Sequence, residues 1–166
     1  MPLDPTIRPE RPEDHAAVGH VITAAFTGMP YADGDEAELV EKLRRANALS
    51  VSLVAELEGE VVGQVAFSPA SAPGWYALGP VAVLPEHQRI GIGSKLIRAG
   101  LQRITELGAS GCILVGDPGY YTRFGFERAP AHAPAREPAE FFQLKLLGQE
   151  PPSGPISFHD AFYAAT

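Results

Sequence analysis

From Leu78 to Lys95 the chain reads Leu78-Gly79-Pro80-Val81-Ala82-Val83-Leu84-Pro85-Glu86-His87-Gln88-Arg89-Ile90-Gly91-Ile92-Gly93-Ser94-Lys95. This is a β-branched run, a short glycine loop and the start of a helical pattern. Such a loop aims several backbone N–H groups at one point, at the positive end of a helix, and that chemistry suits a phosphate. Gly91 and Gly93 let a ligand approach the main chain with no Cβ in the way. Two glycines alone describe equally well a turn that needs them for its own backbone. Spacing eliminates two other phosphate motifs. The dinucleotide fingerprint requires a third small residue where Leu96 stands, and a Walker A loop requires Gly directly before Lys, whereas Ser94 precedes Lys95.

Other chemistries find little support. There is no HExxH, and His15, His20, His87, His132 and His159 have no metal-ligand spacing, so no metal is expected. A G-x-S-x-G nucleophile elbow is missing. Cys112, in an apolar run with no basic neighbour in sequence, reads as a core residue rather than a nucleophile. As the only cysteine it can form no internal disulfide, which fits a reducing cytoplasm. Tyr120 and Tyr121 follow Asp117-Pro118, an N-cap and first-turn proline for a short helix. Neighbouring helical residues point about 100° apart, so one of the two tyrosines can face a given reacting group.

These residues need elements to hold them. Thr6–Pro9 reads as a short strand. Pro12, Glu13 and Asp14 open a helix whose apolar face runs from Ala17 to Phe26 and which Gly28-Met29-Pro30 stops. A second helix runs from about Asp35 to Arg45, with Leu39, Val40 and Leu43 on one face. Val51–Leu57 and Val61–Phe67 are strands joined by the hairpin signal Glu58-Gly59-Glu60. Trp75–Leu84 is a strand interrupted at Gly79-Pro80, where proline's missing N–H implies a bulge or a splayed edge. The pattern predicts a helix over Gly93–Leu107, with Ile97, Leu101, Ile104 and Leu107 on one stripe and Gly108 as its stop. Strands are expected at Cys112–Val115, from Phe124-Gly125-Phe126 onward, and at Phe141–Leu147, with Ala129–Glu140 as a loop between strands. Ile156–Tyr163 reads as a closing strand or an ordered tail.

In this order the segments resemble the GNAT superfamily of acyl-CoA-dependent N-acetyltransferases. Gln88-Arg89-Ile90-Gly91-Ile92-Gly93 matches its Q/R-x-x-G-x-G/A signature, Val81-Ala82-Val83-x-Pro85 precedes it, and Tyr121-x-x-x-Gly125-Phe126 supplies the late tyrosine. With Gly116-Asp117-Pro118-Gly119-Tyr120-Tyr121 and Phe158-x-x-Ala161-Phe162, the chain is similar to the YhbS-like branch, from about Thr6 to Phe162. The resemblance implies one α/β domain over 1–166, with a mixed, mostly antiparallel central sheet flanked by helices and splayed central strands. It implies acetyl-CoA as cosubstrate and no metal. Main-chain groups of Val81, Ala82 and Val83 would pair with pantetheine as an added strand does, the Val83 N–H facing the thioester carbonyl. Amides of Gln88, Arg89, Ile90, Gly91, Ile92, Gly93 and Ser94 would cradle the pyrophosphate, with charge from Arg89 and Lys95. Tyr121 would protonate the departing thiolate.

The implied reaction is transfer of an acetyl group to a primary amine of a small molecule, peptide or protein. A non-catalytic acyl-CoA-binding module and an acyltransferase with a longer acyl-CoA or a hydroxyl acceptor are the rival readings. The chain departs from the family in two places. Gly79 and Pro80 stand where many members carry an acidic residue, and Arg89-Ile90 stands where Gly followed by a basic or polar residue is frequent. Phe26, Met29, Tyr31, Asp33, Asp35, Glu36 and Glu38 would form an acidic, aromatic mouth for a cationic amine, although acids at a helix start are favoured by its dipole in any case.

Composition narrows the partners. Thirteen Lys plus Arg against twenty Asp plus Glu give a net charge of −7 over 166 residues. That sign argues against nucleic acid, because neutralising phosphates supplies most of such affinity. No apolar run reaches the roughly 20 residues of a membrane span, and MPLDPTIRPE lacks the basic and apolar parts of a signal peptide, so a cytoplasmic location is expected. Domains of this size often form symmetric dimers, which leaves a homodimer open.

Overall fold

Glu58 and Gly59 adopt φ of 51° and 81°. A two-residue hairpin turn needs positive φ at both positions to match the strands' twist. They join β2 (Val51–Leu57) to β3 (Glu60–Pro69), which pair antiparallel from Val51↔Phe67 to Leu57↔Glu60. Glu60 therefore belongs to the strand rather than to the turn. The computed structural model describes residues 4–29, 34–148 and 150–163. The other strands are β1 (Thr6–Pro9), β4 (Trp75–Val83), β5 (Gly111–Val115), β6 (Glu127–Arg128) and β7 (Phe142–Leu146). The helices are α1 (His15–Phe26), α2 (Glu36–Arg45), α3 (Ile92–Glu106) and α4 (Pro118–Tyr121). The seven strands run in the order β1-β2-β3-β4-β5-β7-β6. β4 and β5 pair in parallel, whereas β1/β2, β2/β3, β5/β7 and β6/β7 are antiparallel. This is the mixed, mostly antiparallel α/β architecture expected from the sequence.

The chain gathers into two compact units, 1–67 with 79–103, and 68–78 with 104–166. In the first, Val18, Val21, Ile22 and Ala25 of α1 and Val40 of α2 form one buried cluster with Val54, Ala66 and Ala82. Side chains alternate along a strand, so Gly63 and Phe67 of β3 face the other way, toward α3. A Cβ on Gly63 would lie 3.0 Å from Leu96 Cδ1 and 3.3 Å from the Ala82 carbonyl oxygen. A Cβ on Gly100 would fall 2.1 Å from the Phe67 ring. Two missing side chains, one on each element, therefore set how closely α3 lies on β3.

In the second unit, Trp75, Ala77, Ile113, Phe142, Ile156 and Phe158 share a buried cluster. The β4–β5 register covers Trp75↔Gly111, Tyr76↔Cys112 and Ala77↔Ile113. It stops just before Gly79-Pro80, the interruption legible in the sequence; that peptide is cis and Gly79 takes φ 145°. Residues 156–163 form an ordered tail ending in a 3₁₀ turn rather than a strand. Two expectations need correction. Leu107 is 59% exposed and does not extend the α3 stripe. Gly108 (φ 86°) ends the helix, with Gly108 N–H donating to Thr105 O and Ala109 N–H to Ile104 O, and this C-cap turns Leu107 outward. Phe124 and Gly125 lie in and after a 3₁₀ turn, and the strand there is only Glu127–Arg128.

One ion-pair cluster ties β1, β2 and the start of α1. Arg8 holds Asp14 through two bonds of 2.7 and 3.0 Å and Glu56 through one of 3.2 Å, and Asp14 also accepts the Arg11 N–H. The Arg8 hydrogen bond pulls the Asp14 carboxyl down to about 2 from 3.8, against the opposing effect of burial. A carboxylate with a lowered folded-state pKa stabilises fully above its unfolded value and loses that contribution as pH falls through the folded value. Asp14→Asn should therefore lower stability by about 2 kcal/mol at pH 7, and the gap from the parent should close between about pH 5 and pH 2. Urea midpoints at several pH values check this; a gap unchanged across the acid range would show that the pair is not the cause.

Candidate active site

At the end of β4 the chain is braced twice before it enters the glycine loop. Leu84 N–H donates to Val62 O at 2.9 Å, and the Gln88 carboxamide donates to Val83 O at 2.9 Å. A 3₁₀ turn over Pro85–His87 lies between. Arg89 and Gly91 then both take left-handed φ, 67° and 91°. Arg89 thus keeps a backbone path suited to glycine, at a cost of about 1 kcal/mol or more for a residue with a Cβ. The first helical bond of α3 runs from Lys95 N–H to Gly91 O at 3.1 Å. The amides of Ile92, Gly93 and Ser94 precede it and have no acceptor among the described residues, as the geometry of a helix start dictates. Gly91 is exposed, with nothing within 4 Å of the place a Cβ would occupy. Convergent free donors, an open approach and a helix dipole are what an anion such as a pyrophosphate requires. Val81 is half-buried and Ala82 and Val83 are buried. Ile90 is 63% exposed at the loop tip. Lys95 pairs with Asp4, both side chains in solvent, so Arg89 is the loop's unshared cation among the described residues.

Tyr121 belongs to the second unit, where it stands at the end of α4. Asp117 caps that helix by accepting Gly119 N–H at 2.9 Å, as its sequence position suggested. The ring of Tyr121 lies against the main chain of Gly116, where a Cβ would sit 2.6 Å from Cε2. It also meets Phe126 and Phe124 at centroid distances of 6.1 and 6.2 Å. Tyr120 packs beside it: its ring is edge-on to Tyr121 at 5.0 Å and to Phe124 at 5.4 Å, and the Arg123 guanidinium lies 4.5 Å from its ring centroid. The two rings share Phe124; the contacts with Gly116 and Phe126 distinguish Tyr121, and the Arg123 guanidinium distinguishes Tyr120. Cys112 is wholly buried, and burial pushes its thiol far up. No group of three or more His, Cys, Asp or Glu side chains among the described residues is placed to hold a metal ion.

The structure therefore gathers Val81, Ala82, Val83 and Gln88 to Ser94 at one β4-to-α3 junction. Of the suggested acceptor mouth, Tyr31 and Asp33 lie outside the described residues. Phe26 packs on the α1/α2 cluster, and Glu38 approaches Lys42 at 4.0 Å on a helix face. Three residues that shape these elements were not singled out from the sequence, the Gln88 side chain, Gly63 and Gln143, and Gly116 entered only as the head of a motif. The signal for Gln143 was a polar residue between Phe142 and Leu144 in an apolar strand. The signal for Gly63 was a glycine inside a β-branched run.

The model of the Acetyltransferase (GNAT) family matches residues 16–126, and the chain belongs to that family of N-acetyltransferases. Within it the chain is YhbS-like: it is 33% identical to the N-acetyltransferase YhbS of Escherichia coli K12 over 94% of this chain and 97% of that protein. A crystal structure of a GNAT family acetyltransferase from Brucella melitensis, in complex with acetyl-CoA, is 46% identical with a TM-score of 0.85, covering 96% of this chain and 98% of that one. The crystal structure of E. coli YhbS in complex with CoA is 31% identical, also at a TM-score of 0.85, covering 99% and 94%.

Gly116→Ala should force the Tyr121 ring from its seat and destabilise the protein by about 1–3 kcal/mol, the usual cost of overpacking. A urea midpoint equal to that of the parent would show that the ring yields freely.

Proposed function

We propose that residues 1–166 act as one domain that transfers an acetyl group from acetyl-CoA to a primary amine of a small molecule, peptide or protein. The observation that carries the donor half is the set of acceptor-free amides from Ile92 to Ser94 behind the left-handed Gly91, in a chain whose relatives of known structure hold acetyl-CoA or CoA. These amides, with those of Gln88 to Gly91, take the pyrophosphate. The pantetheine arm pairs with main-chain groups of Val81 and Val83. Leu84 N–H is used toward β3, so by the alternation of a strand the Val83 N–H faces away from β3, and it is the donor assigned to the thioester oxygen.

The neutral amine attacks the thioester carbon. Its lone pair forms the new C–N bond while the carbonyl electrons move to oxygen, and the Val83 N–H stabilises the resulting oxyanion. One well-placed donor of this kind is worth about 10²–10³ in rate. Collapse of the intermediate breaks the C–S bond, and Tyr121 supplies the proton that turns the departing thiolate into free CoA. The attacking nitrogen, cationic in the intermediate, gives up one proton to water, and a proton from water restores the Tyr121 phenolate. Gly79 and Pro80 offer no side-chain base for the amine, so the substrate must reach its neutral form by desolvation or through water.

Acetyl-CoA-dependent thiol release across a panel of amines, including peptides with free N-termini and lysines, tests the reading. Turnover with at least one amine is the expected result; binding of acetyl-CoA without turnover on any of them would sink it. Tyr121→Phe should lower kcat by roughly 10²–10⁴ and leave the acetyl-CoA Kd nearly unchanged. Undiminished kcat would remove Tyr121 from the acid role.

A further inference from the structure

We propose that Gln143 is a positioning residue for Tyr121, acting through the main chain of Gly116. Gln143 is wholly buried in β7, opposite Leu114 of β5 and Arg128 of β6. Its side-chain nitrogen donates to the Gly116 carbonyl at 2.9 Å and reaches the Phe141 carbonyl at 3.5 Å. The Gly116 N–H donates in turn to Phe141 O at 3.1 Å. Both polar groups of Gly116 are thus tied to β7 and to the residue just before it. Gly116 is also the surface on which the Tyr121 ring rests, with a missing Cβ as the condition of contact, and it directly precedes the Asp117 cap of the helix that carries Tyr121. A displacement of Gly116 would move both the ring's support and the start of its helix.

The carboxamide oxygen of Gln143 is buried with no hydrogen-bond partner among the described residues. Burying an unpaired acceptor is unfavourable, and an apolar residue of similar shape would avoid it. Fold stability alone is therefore a poor reason for a glutamine at this point. The donor that clamps Gly116 is the feature that an apolar substitute could not supply.

This inference rests on the reading of Tyr121 as the proton donor, and a double-mutant cycle separates the two. The parent, Tyr121→Phe, Gln143→Met and the double variant are compared by steady-state thiol release with the best amine, together with acetyl-CoA KM and melting temperature. Gln143→Met keeps length and burial but loses the donor. It should lower kcat roughly ten- to a hundredfold, leave acetyl-CoA KM within about twofold, and add little further loss when Tyr121 is already Phe. Unchanged kcat in Gln143→Met, or losses that multiply in the double variant, overturns the positioning role while the Tyr121 reading stands. Unchanged kcat in Tyr121→Phe overturns both. Should Gln143→Met fail to fold, Gln143→Asn keeps the polarity but is one carbon too short to reach Gly116. The same split between kcat and KM is then expected, and full kcat would refute the proposal.

Discussion

Three backbone N–H groups at the tip of α3 have no acceptor among the described residues, and the elements of the first unit around them are held by contacts of their own. A helix start always leaves such donors. Gly63 and Gly100 bring α3 close to β3. The Leu84–Val62 and Gln88–Val83 bonds fix where β4 ends, and the left-handed Arg89 and Gly91 turn the chain back into the helix. An arginine in that conformation is less favourable than a glycine would be. At Arg89 the loop's path is therefore maintained by its surroundings rather than chosen by the residue itself, the preorganisation that the proposed anion site calls for.

Most of this was legible in the sequence because the signals were local. The hairpin signal at Glu58-Gly59-Glu60, the Asp117 cap, the Gly108 stop and the glycines of the loop each act within a few residues. The element order and the junction of β4 with α3 followed from them. What was not legible depends on contacts between segments distant in sequence. The Leu107 side chain continued a helical stripe on paper, yet the C-cap rotated it into solvent. The role of Gly63 appears only when Leu96 is set against it, and that of Gln143 only when Gly116 is. The brief strand after Gly125 shows the limit for β6: two residues carry too little pattern to separate a strand from an extended loop.

Buried amides recur at informative places. Gln64 of β3 is fully buried, donates to Ser52 Oγ at 3.1 Å, and has a side-chain oxygen without a partner among the described residues, as Gln143 does. In both, the nitrogen is used and the oxygen is not. A strand interior made only of apolar residues would pack without that cost, so these amides mark where the fold trades stability for a fixed relation between neighbouring strands or loops. The Arg8–Asp14–Glu56 cluster works differently. Its partners are largely satisfied by one another, and it fastens an edge strand to the turn that opens α1.

The single cysteine bears on a reaction whose second product is a free thiol. Mixed disulfides form by attack of a thiolate, and a sulfur that is both inaccessible and held in its protonated form is a poor participant in that exchange. Cys112, sealed inside β5, meets both conditions. A catalyst that discharges CoA at every turnover is in this way protected from being capped by its own product when conditions turn oxidising.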